Sequence, residues 1–203
     1  MRSDITKFLA RRRSIRIFQK RPVENELLEE LVQGAAWAPS ASNRQAWFFT
    51  IVKNHDVKVA MAKAVNESWQ NVIDENAESG AIDEVREYAS CFGSFRSAPA
   101  VIAVTCRSLN AFQAHLLKER AEHTFGDYPS AAMAAQNLML TAEGMGLGSC
   151  CMTGAIAAQK ELKEILGLSR KQELVCLIAV GYPDEQPTAP KRKEISQIMR
   201  IIE

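Results

Sequence analysis

With 203 residues, 47% hydrophobic and 24% charged content, the chain is too apolar to be disordered and has the length of one or at most two globular domains. Its net charge of +1 hides an asymmetry: residues 1–21 carry eight Lys/Arg against the single Asp4, whereas residues 22–190 hold 13 Lys/Arg and 21 Asp/Glu, a formal charge of −8. No apolar run approaches the ~20 residues of a membrane span, and the basic N-terminus lacks the apolar stretch of a signal peptide, so neither a membrane nor a secreted product is expected.

Ile5–Ala10 reads as a short helix with Ile5, Phe8 and Leu9 on one face. The basic run Arg11-Arg12-Arg13-Ser14-Ile15-Arg16 follows. Pro22 is expected to open a second helix, with Glu24 and Glu26 in its first turn and a stop at Pro39. Pro39-Ser40-Ala41-Ser42-Asn43 has turn chemistry, and Trp47–Val52 reads as a strand. Asp56–Asn76 reads as a helix that buries Val59, Ala60, Ala64 and Val65, and Ile82–Phe92 as a more polar one. Pro99–Thr105 is a buried strand, and Ser108–Phe125 a poorly patterned helix. Ser130–Glu143 is nearly uniformly apolar and should be central, ending at Gly144, Gly146 and Gly148. Gly148–Thr153 (extended), Ala157–Leu166 (helix), Leu174–Tyr182 (core strand) and Ile195–Ile202 (helix) complete the series. With no repeat and no linker, residues 1–203 read as one α+β domain.

The positive charge at the two ends needs an anion or solvent to hold it together. Arg11–Arg16 and the distant Lys191-Arg192-Lys193 suit a phosphate, whose oxygens match the planar guanidinium fork. A nucleic-acid patch is the plainer reading of such arginines, but nucleic-acid binders carry a basic stripe on a basic domain, and this body is acidic. Pro39, Ser40, Ala41, Ser42, Asn43 and Gln45 form a second cluster, whose amides and hydroxyls suit a heteroaromatic edge, although an ordinary loop would look the same. Gly144-Met145-Gly146-Leu147-Gly148 closes a helix instead of opening one, which excludes a dinucleotide fingerprint. Thr153-Gly154 ends a strand, where a glycine exposes backbone N–H groups to a ligand.

The five cysteines have no Cys-x-x-Cys spacing, so a reduced, cytoplasmic protein is expected. The histidines, His55, His115 and His123, form neither metal-ligand spacing nor a triad. No metal and no catalytic side chain is therefore expected, and an organic cofactor would carry any chemistry.

Five stretches together resemble the nitroreductase family of flavin enzymes. They are Arg11–Phe18, Ala38–Phe49, Pro99–Val104, Asp127–Gly154 and Ala179–Ile195, in the family's order and over nearly the whole chain. The resemblance implies a mixed central sheet flanked by helices, and a homodimer with flavin mononucleotide (FMN) at the subunit interface. It implies that Arg12, Arg13, Ser14 and Arg16 contact the phosphate, ribityl chain and pyrimidine edge, with Arg16 near N1–C2. Ser40, Ser42 and Asn43 would come from the neighbouring subunit. Thr153-Gly154 would face flavin N5, with Thr153 standing where family members often have an acidic residue. Lys191, Arg192 or Lys193 would close on the phosphate.

The activity implied is transfer of hydride from NAD(P)H through N5 to nitroaromatic, quinone or similar small-molecule acceptors by a ping-pong mechanism. The alternatives are a specialised enzyme of the same fold with one biosynthetic or catabolic substrate, and a non-catalytic flavin-binding protein. The stretch from Ile73 to Phe125 matches nothing in the family. Within it Phe112, His115, His123 and Phe125 are the groups suited to stack on a planar acceptor or nicotinamide, and plain packing is the competing reading.

Overall fold

The computed structural model describes residues 3–78, 82–107 and 127–203. Its strands are β1 (Trp47–Val52), β2 (Ala100–Arg107), β3 (Gly148–Met152) and β4 (Gln172–Gly181). Its helices are α1 (Asp4–Arg11), α2 (Asn25–Ala36), α3 (His55–Glu75), α4 (Ile82–Ser90), α5 (Asp127–Gly144), α6 (Gln159–Ile165) and α7 (Ile195–Ile198).

β2 and β4 are apolar on both faces, so they must be covered above and below. They take the centre of a sheet ordered β1-β2-β4-β3. Every pairing between these strands is antiparallel. The parallel component expected of a mixed sheet enters, among the described residues, at an isolated bridge between Ser14 and Ser149 on the β3 edge.

Ile102, Val104, Ile178 and Val180 turn one face of the sheet toward α2 and α5. There α2 buries Leu28, Leu31 and Ala35, and α5 buries Ala131, Ala134, Ala135, Leu138 and Ala142. The two helices lie so close that a Cβ on Gly34 would stand 2.0 Å from Thr141 Oγ1. Val101, Ala103, Leu177 and Ala179 turn the other face toward Met61, Ala62 and Val65 of α3 and toward Phe92 and Phe95.

Several boundaries differ from the sequence reading. α2 starts at Asn25, because Val23 is buried in the core and keeps Pro22–Glu24 outside the helix. It ends at Ala36, as the helical conformation is disfavoured for the residue before Pro39. On α3 Ala64 and Val65 are buried as expected, beside Lys58, Met61 and Ala62, while Val59 and Ala60 are exposed. The Lys58 amine donates to the carbonyls of Ala98 and Pro99, so a lysine sits on the inner face. Assigning that lysine to solvent rotates the expected face by about one residue. Residues Gly154–Ala158 form a tight 3₁₀ turn before α6, and the C-terminal helix spans only Ile195–Ile198. The helix expected over Ser108–Phe125 lies outside the described residues, as do Phe112, His115, His123 and Phe125.

Candidate cofactor-binding site

The arginine segment runs across the ends of β3 and β4. Ile15 N–H donates to Ser149 O at 3.0 Å, and the Ile15 side chain fills the space left by Gly148, whose Cβ would lie 2.8 Å from it. Gln19 N–H donates to Tyr182 O at 2.9 Å, and Asp184 N–H to Ile17 O at 3.0 Å. The Glu185 carboxylate accepts the backbone N–H of Arg16 and, at 2.9 Å, that of Ile17. These bonds join chain segments almost the whole sequence apart.

The result is a cavity of about 360 Å³ lined by Arg12, Arg13, Ser14 and Arg16 from one end of the chain and Pro187, Thr188, Pro190 and Arg192 from the other. Four arginines and no acidic residue are among its lining residues. Of the C-terminal basic triplet, Arg192 lines it and Lys191 and Lys193 do not. The arginines are not equivalent: Arg13 Nη1 donates to the carbonyls of Ala10, Arg11 and Arg12 at 2.7, 2.9 and 2.9 Å, capping α1. Arg11 pairs with Glu143 at 3.5 Å.

Arg16 also lines a second cavity, of about 270 Å³, together with Phe92, Ser94 and Cys150, Cys151, Met152 and Thr153. Thr153 opens the turn at the end of β3. A Cβ on the next residue, Gly154, would lie 2.3 Å from the Phe92 ring. Trp69 stacks on that ring with centroids 5.2 Å apart and donates through its indole N–H to Gly154 O at 2.9 Å. The turn is thus pressed onto a two-ring stack. Phe92, Ser94 and Glu185 were missed from sequence. Glu185 reads as one more acid in a Pro-rich connector, and Phe92 lies in the stretch without a family match.

The Ser40 loop is elsewhere. Ser42, Asn43 and Gln45 have φ of 53°, 51° and 47°, a region that non-glycine residues enter at a typical cost of about 1–3 kcal/mol each. Ser40 Oγ accepts Gln45 N–H at 3.0 Å, and Gln45 Nε2 donates to Asn43 Oδ1 at 3.2 Å. Arg44 pairs with Asp127 at 2.6 Å, and Ala41 N–H donates to Ser130 Oγ at 3.2 Å, fixing the loop to the start of α5. The arginine segment meets the same helix at its other end, through Arg11 and Glu143. From Asp127 to Glu143 a helix rises about 24 Å at 1.5 Å per residue. The two polar clusters therefore stand at opposite ends of α5 within one chain.

Among the described residues no group of His, Cys, Asp and Glu could hold a metal ion, and no helix is long and apolar enough to cross a membrane.

An antiparallel sheet between helical layers, with an arginine-lined cavity built from both chain ends, defines a protein class that comparison identifies. Residues 9–182 match the Nitroreductase family, and the chain belongs to it. Rat iodotyrosine deiodinase 1 is 26% identical over 203 residues, covering 98% of this chain and 70% of that protein. A BluB-like flavoprotein from Clostridium difficile 630 superposes with a TM-score of 0.86 at 22% identity, over 100% of both chains. A nitroreductase with bound FMN from Desulfitobacterium hafniense DCB-2 superposes with a TM-score of 0.75 at 20% identity, again over 100% of both chains.

Proposed function

We propose that this chain is an FMN-dependent oxidoreductase that uses NAD(P)H to reduce small acceptors such as nitroaromatics or quinones. The observation that carries the reading is the cavity in which Arg12, Arg13, Ser14 and Arg16 face Thr188 and Arg192 with no carboxylate among them. Its donors fit a phosphate, and Arg16 links it to the cavity beside Thr153. FMN is the cofactor of the related Desulfitobacterium structure. When bound, FMN supplies acceptance of hydride from NAD(P)H and its delivery to an acceptor.

The chain's own residues bind and orient. Arg12, Ser14, Arg16 and Arg192 hold the phosphate and polar chain. The cationic Arg16 favours negative charge on the ring system near it. The Thr153–Gly154 turn presents backbone N–H groups to the ring edge. Lys191 and Lys193 add long-range attraction. Ser40, Ser42, Asn43 and Gln45, placed at the far end of α5, act on the site of a second subunit, so a homodimer is part of the reading. Phe112, His115 and Phe125 are proposed to meet the acceptor.

A second reading is a specialised enzyme of this fold with one substrate. It is supported by the 26% identity to iodotyrosine deiodinase 1 along nearly the whole chain. The test of both is direct. The purified protein should be yellow, release FMN in acid, and oxidise NADH or NADPH when a quinone or a nitroaromatic is added. Bound FMN without turnover of either acceptor class favours the specialised enzyme. A colourless protein that takes up no FMN overturns both readings.

A further inference from the structure

Distant parts of the chain meet at Trp69. It projects from α3 between Val65 and Ile73, which lie about one turn before and after it and are buried. Its indole N–H donates to the carbonyl of Gly154, 85 positions later, at 2.9 Å. Its rings stack on Phe92, with 5.2 Å between centroids and 20° between planes. Asn66, three residues earlier on the same flank of α3, backs Gly93, where a Cβ would stand 2.7 Å from Asn66 Oδ1. Phe92 and Thr153, the residue before Gly154, both line the cavity shared with Arg16, and Trp69 itself does not.

We propose that Trp69 is a positioning residue for the reductive step, in which NAD(P)H gives hydride to bound FMN and leaves as NAD(P)+. From α3 it holds the Thr153–Gly154 turn and the Phe92 ring in place as two walls of the flavin cavity. The inference rests on the flavin reading above.

Trp69 acts through the turn's carbonyls. Thr153 O accepts Ile156 N–H at 3.0 Å, and Gly154 O accepts the indole N–H. With both carbonyls engaged, the two peptide planes are fixed, and the N–H of each peptide unit becomes a better donor. Those N–H groups belong to Gly154 and Ala155. They are the groups turned toward the ring edge, where charge develops as hydride arrives. A donor set in place beforehand favours the transferring state over the bound ground state. The stack serves the other wall. Gly154 is packed against the Phe92 ring, so a displaced Trp69 would release the ring and the turn together.

The experiment compares the full chain with Trp69→Phe, which keeps a stacking ring and removes the donor. Incorporation of β-(3-benzothienyl)alanine at position 69 is the second variant, since it keeps the shape of tryptophan with sulfur in place of the N–H. The readouts are Tm without flavin, FMN affinity, the reduction potential of bound FMN, and its single-turnover reduction by NADH or NADPH. Tm should fall by no more than about 4 °C, the effect of one neutral hydrogen bond in a chain of this length. FMN affinity should stay within about threefold, since the phosphate contacts are untouched. The reduction rate should drop by about tenfold and the potential should become more negative. Unchanged rate and potential in either flavin-loaded variant would overturn the inference and leave the flavin reading standing. So would a loss of Tm and FMN affinity in both variants with the rate of bound flavin intact, which would assign Trp69 to packing alone. An unsubstituted chain that takes up no FMN overturns the inference together with the flavin reading.

Discussion

The carboxylate of Glu185 accepts the backbone N–H of Arg16, a residue 169 positions earlier. With the second bond to Ile17 it fixes the course of the arginine segment where that segment borders both cavities. Charge and positioning make opposite predictions here. If Glu185 were only a negative charge near an anion site, Glu185→Ala would tighten FMN binding. As a positioning residue, its loss should weaken binding by about tenfold, the equivalent of roughly 1.4 kcal/mol. Glu185→Gln keeps an accepting oxygen and should stay within a few-fold of the parent. Titration of flavin fluorescence in the three proteins checks this.

The arginines should separate by role. Arg12→Ala and Arg16→Ala are expected to cost about tenfold to a hundredfold in FMN affinity, since a hydrogen bond to a charged group contributes roughly 1.5–3 kcal/mol. Their Tm without flavin should be unchanged. Arg13→Ala should lower that Tm as well, because Arg13 holds three carbonyls at the end of α1. Lys191→Ala should have a smaller, salt-sensitive effect, consistent with its place outside the cavity. Unchanged affinity in both Arg12→Ala and Arg16→Ala would remove the phosphate assignment.

Much of this site was legible before the fold was known. Arg12, Arg13, Ser14 and Arg16 form one local run, and the expectation that they meet the distant Lys191–Lys193 segment follows from charge of one sign at both ends of an acidic body. What charge could not tell is which member of the triplet arrives. Arg192 lines the cavity, beside Pro187, Thr188 and Pro190. β1 was legible because β-branched and aromatic residues fill it, and Trp47–Val52 matches the observed limits. The face of α3 was legible only at Ala64 and Val65, because an amine held by the Ala98 and Pro99 carbonyls looks in sequence like any solvent lysine. The Phe92–Trp69 stack was not legible, being a contact between residues with no local pattern in common.

Gly154 illustrates a packing limit. A methyl group there would overlap the Phe92 ring, which is stacked on Trp69. Overpacking of this kind typically costs about 1–3 kcal/mol. Gly154→Ala should therefore lower Tm by several degrees in flavin-free protein. Phe92→Leu in the Gly154→Ala background should recover part of the loss. A double-mutant cycle by thermal denaturation, showing no coupling between the two positions, would mean the turn moves away from the ring instead.

Acceptor choice is expected to lie with Phe112 and Phe125, as they are aromatic and belong to the stretch without a family match. Stacked aromatic pairs add about 0.5–1.5 kcal/mol beyond area burial. Phe112→Ala or Phe125→Ala should accordingly change the ratio of kcat/KM between a quinone and a nitroaromatic by about tenfold or less, with FMN still bound. Equal effects on every acceptor would assign these residues to packing.

The arrangement of α5 makes the strongest demand on assembly. Its start carries the Ser40 loop through Arg44 and Asp127, and its end meets Arg11 through Glu143. One flavin cannot reach both clusters across a helix of 18 residues, whereas two chains can bring one cluster each. The exposed apolar surface points the same way. Ile195, Ile198, Met199, Ile201 and Ile202 are between 57% and 82% exposed, in a tail that packs on nothing in its own chain deeply enough to be buried. An apolar tail of this size favours burial against a partner. Light scattering should give about twice the chain mass of 22.5 kDa. Removal of residues 195–203 leaves the cavity residues intact, yet it should shift the mass toward that of one chain and release FMN with it. A truncated protein that stays dimeric and yellow would show that the tail is not the clasp; a full-length monomer that keeps FMN would show that the loop at Ser40 serves no second subunit.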